Sequence, residues 1–393
     1  MNNTNEFNNN GKENKRKTLS NLNSLIIKIG SSILSGDDLG LNSGRIASLV
    51  YHISKLKKVI PNIIIVSSGA VASGFKLLGF ESRPKDIVDK QASAAVGQAR
   101  LIWTYEQAFA QYNIKVAQIL LTKDDLSNRK RFLHARNALR RLLELGVIPI
   151  INENDSIIVD ELKYVESFGD NDNLGALVAG IIDSDLLLIL SDVEGLYTED
   201  PRNNPNAEII HSVFNINEDI MNLAGGSSSN VGTGGMRSKL EAAKKALEVG
   251  CEVAIIKGMD PENIDRFFKR EEIGTYFFNG EDKSNNTLNS RKFWIGHATI
   301  PHGKVIIDNG ASKAIQNKKS LLSKGIIDIE GNFNEGDIVS IIDLNNNEIA
   351  RGKVRYSSAE ILKIKGEASS QIFNILGFKI SDEVIHIDDM LIL

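Results

Sequence analysis

Cysteine is almost absent from this chain of 393 residues: Cys251 stands alone, so no disulfide can form within the chain. That fits a reducing compartment, and the expected location is cytoplasmic. Cys251 lies between an apparent helix end and the apolar run Val253 to Ile256, where a small buried residue is expected rather than a nucleophile. An excess of one charge is also lacking. A net charge of −4 gives no general pull toward nucleic acid or an anionic membrane. No apolar run approaches the length of a membrane span, and the longest, such as Leu186 to Leu190, suit buried strands. Residues 1–24 nearly lack apolar side chains and are rich in Asn, Lys and Ser. They hold neither the apolar core of a secretory signal nor the pattern of a transit peptide, and a disordered extension is expected. No His/Cys cluster at zinc spacing, no Ser/His/Asp arrangement and no internal repeat is found.

What is present describes an ordinary globular protein, 42% hydrophobic and 24% charged, long enough for more than one domain. From Leu25 to about Phe278, short apolar runs alternate with longer amphipathic segments. The runs are Leu25–Ile29, Ile63–Val66, Val116–Leu121, Val147–Ile151, Leu186–Leu190 and Val253–Ile256. Their nearly continuous apolar character predicts strands buried on both faces. The helical patterns between them include Phe132–Leu145, ending at Gly146, and Lys239–Val249, ending at Gly250. Such alternation predicts an α/β fold with a mainly parallel sheet, whose ligands bind at the carboxyl ends of the strands. The first domain is expected over residues 25–280 and a polar linker over 281–290. A small β-rich domain is expected over 291–393, with strands such as Lys304–Ile307, Ile338–Ile342 and Glu348–Val354 and turns at Asp308–Gly310, Glu330–Asn332 and Asn345–Asn347.

The stretch Gly232-Thr233-Gly234-Gly235-Met236-Arg237-Ser238-Lys239 carries the strongest chemical signal. Three glycines in four residues free the backbone to turn several N–H groups toward one anion, and a helix pattern follows at once. Its spacing is neither that of a P-loop nor that of a Rossmann fingerprint. Four further segments fall at predicted strand ends. Lys28 interrupts an apolar run and is followed by Gly30-Ser31-Ser32; a lysine inside a buried strand is costly unless paired. Ser67-Ser68-Gly69-Ala70 is small enough for a ligand to approach the backbone. Asn152-Glu153-Asn154-Asp155 and Gly169-Asp170-Asn171-Asp172-Asn173 are dense in carboxylates and amides. One helix cap needs one such residue, and here several stand in a row. They suit a ligand with an ammonium group and a carboxylate, and equally a metal of the Mg²⁺ type. Two lysines, glycine-rich turns, hydroxyls and carboxylates together are equipment for phosphoryl transfer.

These segments resemble the glutamate 5-kinases, members of the amino acid kinase family with an appended C-terminal PUA domain. The resemblance runs in order through Lys28–Ser32, Ser67–Ala70, Lys90-Gln91 with Ala94–Gln98, Arg131–Leu133 with Ala135-Arg136, Ile151–Asp155, Gly169–Asn173, Gly195–Thr198 with Asp200–Arg202, and Gly232–Lys239. It implies a three-layer sandwich around the parallel sheet and a reaction in which ATP, with Mg²⁺, phosphorylates the side-chain carboxylate of L-glutamate. In the family this is the first step of proline synthesis. By the resemblance, Lys28 and Lys239 are expected to stabilise the phosphoryl group in flight, with Asp172 holding them. Ser68, Asn152, Asp155, Asp170 and Asn171 match glutamate-binding positions. Ser191 and Asp192, with Thr233, Gly234, Gly235, Met236, Arg237, Ser238 and Lys239, match nucleotide contacts, as does Lys28. No residue is singled out as a direct metal ligand.

The resemblance further implies feedback inhibition by proline, a dimer or tetramer, and coupling to glutamyl phosphate reductase, whose domain is not fused to this chain. Departures are Ser67 where many relatives have Thr, Arg237 in place of a small residue, and a longer stretch from Ser156 to Phe168, which in the family borders the glutamate and proline sites. The rival readings are an amino acid kinase acting on aspartate, N-acetylglutamate, carbamate or a nucleoside monophosphate, and an RNA-binding protein. Against the second, residues 291–393 hold thirteen Lys and Arg and thirteen Asp and Glu. That balance lacks the basic footprint of nucleic-acid affinity, so the C-terminal domain is expected to be structural or regulatory.

Overall fold

The computed structural model describes residues 19, 21–36, 40–157, 171–224, 235–279 and 287–393. Most of the expected N-terminal extension therefore lies outside the described residues, as do Asp170, Thr233, Gly234 and residues 158–168 of the long stretch. Backbone contacts divide the chain into two compact units, one ending at Thr287 and the other beginning at Leu288.

The first unit is built on an eight-stranded sheet. Its strands are β1 (Ser24–Ile29), β2 (Asn62–Val66), β3 (Val116–Leu121), β4 (Ile148–Glu153), β5 (Leu186–Ser191), β6 (Ser212–Phe214), β7 (Glu252–Lys257) and β8 (Thr275–Phe278). They lie in the order β3-β4-β2-β1-β5-β7-β8-β6. All neighbours are parallel except β7 and β8. The six apolar runs read from sequence are the six strands from β3 to β7 in this order. Five of them, β1, β2, β4, β5 and β7, are buried along nearly their whole length, as a sheet covered on both faces requires.

The helices of this unit are α1 (Ser31–Leu34), α2 (Ser43–Lys57), α3 (Ala70–Gly74), α4 (Ile87–Ala110), α5 (Lys123–Ser127), α6 (Arg129–Glu144), α7 (Asn171–Ile182), α8 (Glu218–Leu223), α9 (Met236–Glu248) and α10 (Asn263–Phe268). On one face of the sheet, Leu25, Ile27 and Ile29 of β1 pack with α2, α4 and α10 in a single core that includes Leu49, Ile53, Tyr105, Phe109 and Phe267. The alternate residues of β1 face the other layer. There Gly175 of α7 stands close over the Lys28 side chain, and α9 packs on α7. The two helices end at glycines in the left-handed region where the sequence placed them, Gly146 after α6 (φ 76°) and Gly250 after α9 (φ 77°).

Several boundaries differ from the sequence reading: α6 begins at Arg129 rather than Phe132, and α9 at Met236 rather than Lys239. β4 runs on to Glu153 rather than stopping at Ile151, because Asn152 and Glu153 keep their pairing with β3. α7 begins at Asn171 rather than near Leu174, so the acidic Asp172 sits in its first turn, where the helix dipole favours negative charge.

The second unit holds a five-stranded sheet of β9 (Gly303–Ile307), β11 (Ile326–Gly331), β12 (Ile338–Ile342), β13 (Glu348–Lys353) and β15 (Met390–Ile392), in the order β11-β9-β12-β13-β15. A two-stranded pair, β10 (Leu321–Leu322) with β14 (Glu383–Ile385), accompanies it. Its core is separate and centres on Val305, Ile341, Ala350, Tyr356 and Met390. Asp308-Asn309-Gly310 is not a turn between strands. Asp308 caps a helix over Asn309–Gln316 by accepting from the Ala311 N–H, which is why Asp, Asn and Gly stand together there.

Candidate functional site

Strand order decides where the chemistry gathers. The chain runs from β1 to β2 on one side, reaches β3 and β4 at that edge, and then returns to β5 on the other side of β1. β1 therefore lies where the sheet changes direction, and crevices at the carboxyl ends of strands form at such points. Lys28 is the penultimate residue of β1, and Gly30 just beyond it donates its N–H to Leu190 O of β5 at 3.3 Å.

Lys28 is buried, and its charge is paired. Its Nζ lies 2.6 Å from Asp172 Oδ1. Lys239, one turn into α9, brings its Nζ to 3.1 Å from Asp172 Oδ2. The three side chains are 8%, 6% and 0% exposed. One carboxylate thus holds two ammonium groups, one to each oxygen, and the buried cluster carries one net positive charge when all three are ionised. Lysines 211 positions apart in sequence converge on a point at the carboxyl edge of the sheet.

Asn171, the residue before Asp172, belongs to a second cluster. Its Nδ2 donates to Ser67 O at 2.6 Å, to Ser68 Oγ at 2.8 Å and to Asn152 Oδ1 at 3.1 Å. Asn152, 1% exposed at the end of β4, donates from Nδ2 to Gln98 Oε1 of α4 at 2.9 Å and accepts the Glu153 N–H at 3.0 Å. The loop from β2 to α3 reaches this cluster through Gly69, whose φ of 91° only glycine adopts freely. Beside it opens a cavity of about 290 Å³ lined by Gln98, Gln118, Glu153, Asn154, Asp155 and a floor that includes Ala94 and Ala95. Burial pushes the Asp155 carboxyl up to about 6, against the opposing field of Arg83. A carboxylate placed there is a costly anion waiting for a cation, and an ammonium group of a small ligand supplies one.

On the β5 side, Ser191 ends the strand, buried, with its Oγ donating to Asp192 Oδ1 at 3.1 Å; Asp192 is exposed. α9 starts at Met236 with Gly235 as its cap residue, and glycine offers no side-chain cap. Among the described residues, a Cβ on Gly235 would meet nothing within 4 Å. A helix start without a side-chain cap from its cap residue, with Lys239 four residues past Gly235, fits an anionic phosphate. Ser238 Oγ donates to Gly235 O at 3.1 Å, and the exposed Arg237 turns along the helix to Glu241 at 3.3 Å.

Ion pairs and hydrogen bonds join two groups of the sequence-derived residues, Lys28 with Asp172 and Lys239, and Ser68 with Asn152 and Asn171; Asp155 lines the cavity, Ser191 and Asp192 stand at the end of β5, and Gly235 to Ser238 open α9. Two residues of the second group's surroundings had no role in the sequence reading. Gln98 holds Asn152, and Tyr105 meets Ser67 Oγ at 3.2 Å. Their signal was present in outline: Ser93, Gln98 and Thr104 put polar side chains on the buried face of α4, and buried polar groups are there to be bonded.

Comparison with known proteins identifies the family. Residues 23–257 match the model of the amino acid kinase family, and residues 303–376 match the PUA domain. Glutamate 5-kinase of Geobacter sp. strain M21 is 45% identical over 380 residues, covering 96% of this chain and 100% of that protein. Glutamate 5-kinase of Geobacter metallireducens is 48% identical over 370 residues, covering 94% and 97%. Among solved structures, the product complex of T. acidophilum isopentenyl phosphate kinase aligns over 65% of this chain and 99% of its own, with 21% identity and a TM-score of 0.44. On the family models and the full-length relatives, the chain belongs to the amino acid kinase family, in its glutamate 5-kinase branch, and carries a C-terminal PUA domain.

Proposed function

We propose that this chain transfers the terminal phosphoryl group of ATP to the side-chain carboxylate of L-glutamate, giving L-glutamyl 5-phosphate and ADP. One observation carries the reading. Consecutive residues at the start of α7 serve both halves of the site: Asn171 ties the Ser68–Asn152 cluster together, and Asp172 holds both lysines. A small amino acid bound in the cavity, with its ammonium group at Asp155, would present its far carboxylate beside the two ammonium groups.

The chemistry asks little more. A carboxylate is already a competent nucleophile at neutral pH, so no general base is required. One of its oxygens bonds to the terminal phosphorus as the bond from that phosphorus to the oxygen of ADP breaks, and no proton need move. The barrier is largely the meeting of two anions. Lys28 and Lys239 supply positive charge where it builds on the migrating group, and Asp172 keeps them placed before substrate arrives. The start of α9, with Thr233 and Gly234 preceding it, and Ser191 and Asp192 are the inferred nucleotide contacts. Mg²⁺ is inferred to enter as part of the ATP complex, as substrate. Asp170 is inferred to complete the glutamate site with Ser68, Asn152, Asp155 and Asn171.

The reading extends to the first step of proline biosynthesis in the cytoplasm, with proline as feedback inhibitor, a dimeric or tetrameric enzyme, and coupling to glutamyl phosphate reductase. It is supported by the relatives named glutamate 5-kinase along nearly the whole chain. The test is to trap the acyl phosphate with hydroxylamine, using ATP and L-glutamate with and without proline. Hydroxamate formed from glutamate and suppressed by proline is expected. Hydroxamate or ADP formed only with aspartate or N-acetylglutamate would overturn the substrate assignment.

A further inference from the structure

We propose that Gln98 is a positioning residue: through Asn152 and Asn171 it fixes the direction in which Ser68 offers its hydroxyl proton, and so sets the affinity for the amino-acid substrate. This rests on the reading that the cluster beside the cavity receives glutamate.

Two backbone groups that cannot reverse their polarity anchor the network. The Glu153 N–H can only donate, so the Asn152 atom it meets at 3.0 Å is the oxygen, Oδ1. The Ser67 carbonyl can only accept, so the Asn171 atom at 2.6 Å is the nitrogen, Nδ2. With both amides so turned, the two hydrogens of Asn171 Nδ2 are shared among Ser67 O, Asn152 Oδ1 and Ser68 Oγ. Ser68 Oγ then has a lone pair engaged, and its own proton is left to point elsewhere. A hydroxyl whose proton is free suits a carboxylate of the substrate.

One atom of this arrangement still needs a partner. Asn152 Nδ2 faces α4 in a buried setting, where an unmet amide N–H is expensive. Gln98 Oε1 meets it at 2.9 Å, from a side chain only 8% exposed. The approach of α4 is set by glycine. A Cβ on Gly97 would lie 1.8 Å from Ala70 O and 2.6 Å from Gly74 N, so α3 and α4 touch backbone to backbone at the residue before Gln98. Gln98 also lines the cavity, together with Asp155. Its contribution is polarity: position 98 must present an acceptor to Asn152.

That requirement gives a test by sign. Gln98→Glu keeps an acceptor but adds negative charge beside the site for an anionic amino acid. Gln98→Lys adds positive charge but presents only donors, which opposes Asn152 Nδ2. If local charge governed, the Lys variant would bind glutamate better and the Glu variant worse. The relay predicts the reverse: the Glu variant keeps KM for glutamate within about threefold of wild type, and the Lys variant raises it by about tenfold or more. Gln98→Met, of similar length and without hydrogen bonds, should also raise it about tenfold, with kcat and the KM for ATP nearly unchanged. Hydroxamate assays over a glutamate titration read all four proteins, and thermal unfolding reports whether each is folded.

A Lys variant with KM at or below that of wild type sinks the relay, as does a Met variant with unchanged KM. Should the Met variant not fold, the Glu and Lys pair decides. A wild-type protein that forms no hydroxamate from glutamate would instead sink the substrate reading, an outcome distinct from any ranking of the variants.

Discussion

Replacing Asp172 by Asn is the sharpest perturbation this site allows. The volume hardly changes and one negative charge disappears from a place with no solvent exposure. Lys28 and Lys239, 8% and 6% exposed, then face each other with no anion between them. Breaking a buried ion pair by removing one partner typically costs about 3–5 kcal/mol, because the remaining charge is stranded. Here two charges are stranded by one substitution, so the upper part of that range is expected for the free protein. A second loss falls on catalysis. Asn accepts from one lysine by a weaker bond and turns its own N–H donors toward the other, and a displacement of about 1 Å at a reacting group costs on the order of 100-fold in rate.

The charge argument makes a further demand. Asp172→Asn combined with Lys28→Met removes one of the stranded charges, so the double variant should be more stable than Asp172→Asn alone, although it differs from wild type at more positions. Urea unfolding of the four proteins in this cycle, with hydroxamate turnover on each folded one, measures both effects. Asp172→Asn within about 1 kcal/mol of wild type, or with kcat within tenfold, would refute the claim that this carboxylate organises the lysines. A double variant less stable than the single one would show packing, not charge, at work.

Lys28→Ala and Lys239→Ala should each lower kcat by several orders of magnitude with the fold retained, and steady-state turnover within tenfold of wild type would remove the lysine concerned from the mechanism. Gly97→Ala forces a methyl group to within 1.8 Å of a backbone oxygen, so α3 and α4 must separate; a loss of about 1–3 kcal/mol in unfolding and a raised KM for glutamate are expected. Asp155 titrates near 6, and its carboxylate form is the one that binds an ammonium group, so KM for glutamate should climb as pH falls below about 6, while Asp155→Asn shows a weak affinity without that inflection. The same raised value has the opposite sign for stability: between pH 3.8 and about 6 the folded protein holds a proton that the unfolded chain releases, so this group's contribution is full below 3.8 and is lost as pH rises through about 6, which urea midpoints of wild type and Asp155→Asn would reveal.

The six long strands were legible because strands buried on both faces leave unbroken apolar runs, and Lys28 stood out because it breaks one. The partner of Lys28 was less so. Four polar residues from Asp170 to Asn173 look alike in sequence, and only the entry of α7 beneath β1 makes Asp172 the buried one and Asn171 the shared donor. Resemblance to a family, not spacing, marked Asp172 in advance. Gln98 shows the limit more plainly. Its contact with Asn152 spans 54 positions and depends on the Gly74–Gly97 approach, which is a property of two helices in space. Local rules read one helix at a time, so they flag a buried polar side chain but cannot name what it meets. The turn expected at Asp308–Gly310 failed for a related reason: the residues that favour turns also favour helix caps, and the following segment decides between them.

The position of β1 explains why so few residues are shared between the halves of the site. Groups at the ends of β2 and β4 gather around Asn152 and Ser68, while Ser191 ends β5 and Gly235 caps α9, the positions inferred to meet the nucleotide. β1 runs between β2 and β5, so a side chain at its carboxyl end stands at the border of both. A lysine there is useful only if its charge is directed, and the first turn of α7 directs it with one residue while binding the neighbouring cluster with the residue before. Moving Asp172 by one position in sequence would turn its carboxylate about 100° around the helix and away from both lysines. The adjacency of Asn171 and Asp172 is therefore a geometric necessity of this design, and a variant exchanging the two residues, Asn171→Asp with Asn at 172, should lose turnover as completely as loss of the carboxylate itself.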